Sequence, residues 1–385
     1  MGIQWLIIVS ILIVVLQGWM YRKWGLRNVS YTRYFSTPAV YAGQSVDMIE
    51  IIANRKLLLL PWIRLESMIS ADLRFNKQSN LDISEGQYYQ NHKSLFSLGP
   101  YTQITRRHEI VCMKRGYYTL QSVTITCGDV FGFMSRSSQL NLNASLLVYP
   151  KLIPTEEIPL PSHSWQGDLT VRRWIVSDPF LSSGVREYRY GDPMNRINWK
   201  ATARTGRLQV HNEDFTANQR LMIYVNFDLH EQMWDAVTEP EAVERALSYA
   251  ASIAQHSILQ GRQTGFGCNG YFTGGEKKPV RIEPQTGSEH LTELLSSMAR
   301  LAIARSIPFY AMLDQDLADK TSQTDFLIIT AFVNDKLQTR MDRLRALGNS
   351  VGILPLETGV KEQSNEQSDG TPPEPHRTER REAYA

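Results

Sequence analysis

Asn226, Asp228 and His230 follow an unbroken apolar run, 221–225, at every second position, so an extended backbone would turn three polar side chains to one side. That is the spacing of a candidate cation site. An amide is a weaker ligand for a hard cation than a carboxylate, and an imidazole suits softer metals. Catalytic zinc needs three protein ligands, and Asp228 and His230 supply two, so a degenerate site holding no metal is expected. Gly265 to Gly270 matches G-x-G-x-x-G, a pattern that binds a dinucleotide only between a strand and a helix N-terminus. Tyr271, Phe272 and Gly274-Gly275 follow it, which reads as a glycine-rich strand and a turn. His163 with Ser164, and His108 with Glu109, are sequence neighbours with no third member and are read as solvated positions. No P-loop, HExxH or GxSxG occurs. The sequence therefore predicts no catalytic residue, no cofactor and no enzyme.

Charge is more informative. Residues 186–214 read REYRYGDPMNRINWKATARTGRLQVHNED, with six cations at 186, 189, 196, 200, 204 and 207 in a chain whose net charge is only +2. Asp192 as N-cap, Pro193 at the first helical position and Gly206 past the end predict a helix over 193–204. Arg196, Lys200 and Arg204 then stack at i, i+4, i+8, an arrangement that costs an isolated helix roughly 0.2–0.5 kcal/mol per like-charged pair. Two readings offset that cost. In one, Arg186, Tyr188, Arg189, Arg196, Trp199, Lys200 and Arg204 form a docking surface for an acidic partner, with Asp192 capping the helix. In the other the segment is an internal clip, with Trp199 buried and the arginines satisfied by carbonyls.

The elements that must carry these groups are of three kinds. Residues 2–21 are uncharged, with Trp5, Trp19 and Trp24 near the ends of the apolar run, and about 20 apolar residues span a hydrocarbon core of roughly 30 Å. The segment 1–24 is expected to be a transmembrane anchor. Arg22, Lys23, Arg27 and Arg33 follow it, which by the positive-inside rule puts the rest of a single-pass protein in the cytoplasm. Residues 31–150 alternate β-branched and aromatic stretches (46–52, 62–66, 104–111, 117–125, 146–149) with turn residues, and predict an all-β immunoglobulin-like sandwich, with 76–98 a long polar loop. Residues 151–214 are a proline-punctuated connector leading into the basic segment. Residues 215–358 alternate strands and helices, including a capping-box spacing at 238–241 and helices from about 240, 288 and 334, and predict an α/β domain with a mainly parallel sheet. Residues 359–385 hold almost no apolar side chains and are expected to be disordered.

The chain of 385 residues is 42% hydrophobic and 21% charged, ordinary values for globular domains. Its pI near 8.3 excludes a dedicated nucleic-acid binder as the leading class, and no nucleic-acid partner is expected. Three cysteines without CxxC spacing point to free thiols.

The run from Tyr188 to Leu208, with Gly191-Asp192, Arg196, Trp199-Lys200, Ala203-Arg204 and Gly206, resembles the signature of the bacterial domain-of-unknown-function family fifty-eight. Arg115-Gly116-Tyr117-Tyr118 and Gly128-Asp129-Val130-Phe131-Gly132-Phe133 are similar to two weaker family motifs, with Val130 in place of a proline. The resemblance extends to about position 356. It implies a membrane-anchored protein with a von Willebrand factor A-like domain, associated with a MoxR-type AAA+ ATPase, and no settled reaction. Functional von Willebrand A domains bind Mg²⁺ through Asp-x-Ser-x-Ser, for which this chain has Asn226, Asp228 and His230. The reading that follows is a membrane-tethered adaptor docking that ATPase. A cell-envelope enzyme and an anionic-surface binder are the alternatives.

Overall fold

The computed structural model describes residues 2–75, 81–85, 89–159, 184–188, 197–212, 220–231 and 237–357. The chain opens with helix α1 (Gly2–Trp24), whose segment Ile3–Trp24 is long and apolar enough to cross a membrane. Its last turns differ from the rest: Gly18 and Tyr21 are buried, while most positions from Ile3 to Leu16 are exposed.

The next region is built of strands. β1 (Val29–Phe35), β3 (Ser45–Asn54), β8 (Gln103–Cys112) and β5 (Leu73–Phe75) form an antiparallel sheet in the order β1-β3-β8-β5. A second sheet runs β2 (Ala39–Tyr41), β10 (Ser135–Tyr149), β9 (Gly116–Gly128), β4 (Leu60–Ser70), β7 (Tyr89–Leu98), β6 (Leu81–Glu85). Alternating burial along β7, β4 and β10 turns one face of this sheet inward. The inward residues of both sheets meet in two clusters, one around Tyr31, Ile52, Leu65, Phe96 and Val123, the other around Met48, Ile69, Ile110 and Leu146. The five strands predicted for this region are all present. The polar stretch 76–98, expected to be a loop, instead supplies β6 and all of β7, because Gln90, His92 and Ser94 alternate inward as buried polar groups that a hydrophobic pattern does not reveal.

Those polar groups belong to a buried cluster. Glu50 Oε1 accepts hydrogen bonds from Arg33 and, at 2.8 Å, from Tyr31; Glu50 Oε2 lies 3.0 Å from His108 Nε2; Arg33 Nη1 donates to Ser67 Oγ at 2.9 Å. His108, expected to be solvated, is buried and meets Glu50 across the sheet. His92 packs against a tilted Phe75 ring on one side and meets His108 edge to face on the other, and neither of its ring nitrogens has a hydrogen-bond partner among the described residues.

Residues 220–357 form the α/β unit: β13 (Arg220–Val225), α3 (Pro240–Leu259), β14 (Thr264–Cys268), β15 (Tyr271–Phe272), β16 (Val280–Gln285), α4 (Ser288–Ala299), β17 (Leu301–Ala302), α5 (Phe309–Ala318), β18 (Thr324–Thr330), α6 (Asp335–Ala346) and β19 (Ser350–Pro355), where α2 is kept for a shorter helix described below. The sheet order is β16-β14-β13-β18-β19, parallel except that the edge strand β16 runs antiparallel to β14. Every residue of β18, and all of β13 after Arg220, is buried, as strands covered on both faces must be. α3 and α4 cover one face and α5 and α6 the other. The glycines of β14 serve this packing: a Cβ at Gly267 would sit 2.3 Å from Tyr224 Cε1. The capping box expected at 238–241 does not form, since the N-cap is Glu239 and its side chain makes no capping bond. α5 falls in a stretch where the sequence pattern announces no helix.

The two units meet through Arg115, which is buried. Its Nη1 donates to the carbonyls of Met298 at 2.8 Å and Leu301 at 3.0 Å, and its Nε lies 2.8 Å from Glu244 Oε2 on α3. The guanidinium therefore sits at the C-terminus of α4, where unpaired carbonyls and the helix dipole favour a cation. Tyr41 and Tyr149 pack against the α/β core, and Ile153 N donates to Ser252 Oγ at 2.8 Å. Cys112, Cys127 and Cys268 are buried free thiols.

Arg115→Ala is expected to lower the unfolding free energy by about 3 kcal/mol, because it leaves buried carbonyls and Glu244 without their cation. Arg115→Lys should recover only part of this, since an ammonium lacks the planar fork. Denaturant titration of the full chain in detergent measures both, and an unchanged midpoint for the alanine variant would remove Arg115 from this role.

The buried cluster also sets an acid limit. Burial pushes the His92 imidazole down to about 3. Burial pushes the Glu50 carboxyl up, but the His108 hydrogen bond and the Arg33 guanidinium outweigh it and hold that carboxyl below the usual range. Both folded-state values are depressed, so stability is complete above the unfolded values. It falls first as His92 protonates in the unfolded chain below roughly pH 6.5, by at most about 1.4 kcal/mol per pH unit, and again below the ordinary Glu range. Denaturation between pH 7 and 4 should show this slope, and His92→Phe should flatten it above pH 5.

Candidate functional site

The parallel sheet places a crevice of about 370 Å³ at the carboxyl ends of β13 and β18, lined by Asn226, Asp228, Glu231, Arg305, Asn334 and Lys336 among others. From β13 the chain continues to β14 on one side, while β18 pairs on the other. This is the switch point where open α/β sheets hold ligands. Two of the three predicted period-two residues come to it. Asn226 and Asp228 are buried, whereas His230 is exposed and does not line the crevice.

The surrounding donors decide what Asp228 does. Its Oδ1 accepts from Asn269 Nδ2 at 3.0 Å and lies 3.5 Å from Arg305 Nη1; its Oδ2 accepts from Phe309 N at 3.0 Å. Asn269 Oδ1 accepts from Phe227 N at 2.8 Å, and its Nδ2 also donates to Ile307 O at 3.1 Å. Asn226 is equally committed, donating to Thr330 Oγ1 at 3.0 Å and accepting from Asp228 N at 2.9 Å. The carboxylate thus holds the first turn of α5 and an internal guanidinium, the positions a bound cation would compete for. Asn269 lies inside the glycine-rich run, where sequence reasoning assigned it no role.

A second group of potential ligands, Glu50, His92 and His108, brings its donor atoms within 4.8 Å of one another inside the sandwich. Arg33 already neutralises Glu50 there, so a divalent ion would be added to a buried site carrying no spare negative charge. A larger cleft, of about 920 Å³, lies between the two units around Arg115, Tyr117, Phe272 and Arg300. Arg115 is committed to the joint described above, and the Arg300 guanidinium covers the Tyr117 ring at 5.1 Å.

The basic segment is a compact unit. β11 (Gly184–Glu187) pairs antiparallel with β12 (Gln209–Asn212), Ile197 bridges Val210, and helix α2 (Trp199–Thr205) lies between. Residues 193–196, where the sequence predicts the helix to start, lie outside the described residues; the described helix begins at Trp199. Asn198, in an extended conformation, is the N-cap, with its side chain accepting from Ala201 N at 2.9 Å, because Ile197 is held in the strand bridge. Gly206 takes the left-handed end position as expected, φ 69°. Arg189, Asp192, Pro193 and Arg196 lie outside the described residues, as does the side chain of Arg186. Of the predicted three-cation stack, Lys200 and Arg204 are among the described residues. Both are exposed and have no ion pair among the described residues. Tyr188 is half-buried, its N–H donating to Leu208 O at 2.9 Å. Trp199 is 65% exposed; inward packing falls to Ile197 and Val210. The tail, 359–385, also lies outside the described residues.

A family model described as protein of unknown function DUF58 matches residues 184–364. The chain is 20% identical over 336 residues to the uncharacterized protein YeaD of Bacillus subtilis, covering 87% of this chain and 78% of that one. Among solved structures, a non-cellulosomal cohesin from the archaeon Archaeoglobus fulgidus is similar over 33% of this chain and 94% of its own at 12% identity, with a TM-score of 0.23. A cohesin module from a Clostridium perfringens glycoside hydrolase is similar over 30% of this chain and 97% of its own at 10% identity, with a TM-score of 0.20. Likeness at that level carries no argument.

Asp228→Ala is expected to destabilise the chain by about 2–3 kcal/mol, since the Phe309 N–H, the Asn269 amide and Arg305 lose a buried acceptor. Millimolar Mg²⁺ should leave the wild-type melting temperature unmoved, whereas a ligand bound only by the folded state would raise it. A magnesium-dependent rise abolished by Asp228→Ala would overturn the reading of the carboxylate as an internal staple.

Proposed function

Residues 184–364 make this chain a member of the family of unknown function DUF58, and on that premise we propose that it is a membrane-tethered, non-enzymatic adaptor. Helix α1 anchors it as a single span, and the cations at 22, 23, 27 and 33 that follow the apolar run put the remainder in the cytoplasm. The two packed sheets act as an immunoglobulin-like spacer, and residues 220–357 as a von Willebrand A-like domain whose ion site has been replaced by the Asp228, Asn269 and Arg305 staple. By the family resemblance, the docked protein is a MoxR-type AAA+ ATPase.

The observation that carries this reading is the outward-turned Trp199 beside Lys200 and Arg204, which are exposed and have no ion pair among the described residues. Tryptophan and arginine are over-represented among residues that dominate interface energies, and a flanking cation steers an acidic partner. An internal clip needs the tryptophan inside, and here Ile197, Val210 and the Asn198 cap do the holding.

The test is capture of the purified ATPase by full-length chain in nanodiscs. Trp199→Ala combined with Lys200→Glu and Arg204→Glu should weaken capture at least tenfold and shift the melting temperature by less than about 2 °C, as exposed substitutions do. Undiminished capture removes the docking surface. A collapse in melting temperature instead supports the clip.

A further inference from the structure

We infer that the sandwich does not hang below the bilayer on a tether but is seated on it, through three loops at the end where α1 enters. The inference rests on the reading of α1 as a membrane span. A span of roughly 30 Å at 1.5 Å per residue uses about 20 residues, the length from Gly2 to about Tyr21. Gly18 therefore lies within the membrane, and whatever touches Gly18 lies at that depth. Met134 does: a Cβ on Gly18 would stand 2.8 Å from Met134 Cγ. Met134 ends the loop between β9 and β10, so that loop is brought to the head-group level by the helix itself.

The loop is rigid and its apolar residues face out. Asp129 is buried, with Oδ1 accepting from Met134 N at 2.8 Å; Gly132 N donates to Asp129 O at 3.2 Å; Trp62 Nε1 donates to Asp129 O at 3.2 Å. This frame leaves Val130, Phe131 (58% exposed) and Phe133 (76%) without cover. Two neighbouring loops share that end. Lys56 Nζ donates to Gly25 O at 2.9 Å just past α1, and Tyr101 N donates to Lys56 O at 3.2 Å. They expose Leu57 (75%), Leu59 and Tyr101 (72%).

Charge completes the pattern. Arg22, Lys23, Arg55 and Arg136 are exposed around these loops, and Arg136 Nη1 donates to Arg22 O at 3.0 Å, tying the β10 end to the helix. Residues 55–59, 99–102 and 129–134 contain one acid, the buried Asp129. Apolar tips ringed by cations fit an interface of acyl chains and anionic phosphates, and Trp19 and Trp24 mark the same level on α1. The occupant of this face is thus an anionic bilayer surface.

The test uses full-length chain reconstituted in vesicles of phosphatidylcholine and phosphatidylglycerol. Its three native cysteines are buried, so a fluorophore reports from one introduced cysteine at a time: Leu12→Cys in α1, Phe131→Cys or Leu57→Cys in the loops, and Ala346→Cys on α6, on the sheet face away from the sandwich. Lipids brominated near the head group should quench the two loop positions at least twofold and leave position 346 unchanged, while lipids brominated deep in the chain quench position 12. Quenching at 12 with none at 131 and 57 would overturn the seat and leave the span intact. No quenching at 12 would overturn the span itself. Loop positions shielded from aqueous iodide but untouched by lipid quenchers would also overturn the seat, assigning the face to a second copy of the chain. As an independent variant, Phe131→Asp with Phe133→Asp should abolish quenching at position 57 without changing the melting temperature.

Discussion

The guanidinium of Arg115 is the joint on which the rest of the molecule's geometry depends. It leaves the sandwich, enters the end of α4 and gathers carbonyls that no helix can satisfy by itself, while Glu244 neutralises it. Burial pushes the Glu244 carboxyl up and Arg115 pulls it down. Such a pair is a poor source of stability against an apolar contact of equal size, yet removal of one partner is severe. Its effect is geometric. Tyr41, Tyr149 and the start of the connector add apolar contact between the units, but a planar fork on several carbonyls also fixes their rotation. With α1 packed on one unit and the switch-point crevice on the other, the helix and the crevice stand in a set relation.

Within the α/β unit the governing constraint is the burial of both sheet faces. The middle of β18, Phe326 to Ile329, and most of β13 present apolar side chains, and polar groups gather at and just beyond their carboxyl ends, where Asn226, Asp228 and Thr330 meet. In this chain those groups are turned on each other. Asn269 joins the loop after β13 to the loop before α5, and Asp228 receives the α5 N–H that would otherwise be an orphan. The spacing of a ligand site survives with its donors spent on the fold.

The sequence was legible wherever period and packing agreed. The five predicted strands of the sandwich and the alternation 220–357 follow from patterns in which apolar residues face a core, and α1 follows from the length of its unbroken apolar run. Legibility failed where buried groups were polar. His92, Ser94 and Gln90 made β6 and β7 look like a loop, and His108 looked solvated because its partner Glu50 is 58 residues away on another strand. It failed again at the cap of α2: Asn198 before Trp199 is a weak local signal, and the Ile197–Val210 bridge that holds the chain extended up to it is a tertiary contact. Of the predicted site, Trp199, Lys200 and Arg204 were legible as a cationic face with an aromatic, and Asn226 and Asp228 as a strand-end pair. Arg305 and Asn269, which decide what Asp228 does, carry no signal in one sequence.

A cation held by a carboxylate at a strand end makes the local structure conditional on that ion's concentration. When the positive charge is instead the side chain of Arg305, it is present at unit stoichiometry and cannot be withdrawn, so the loop before α5 has one arrangement and not two. On the proposed adaptor reading, metal offers no switch at this site. The exposed face of α2 is the other polar surface described, and its cations, unpaired among the described residues, are open to competition by salt or by an acidic segment, which is where control of the proposed docking would act.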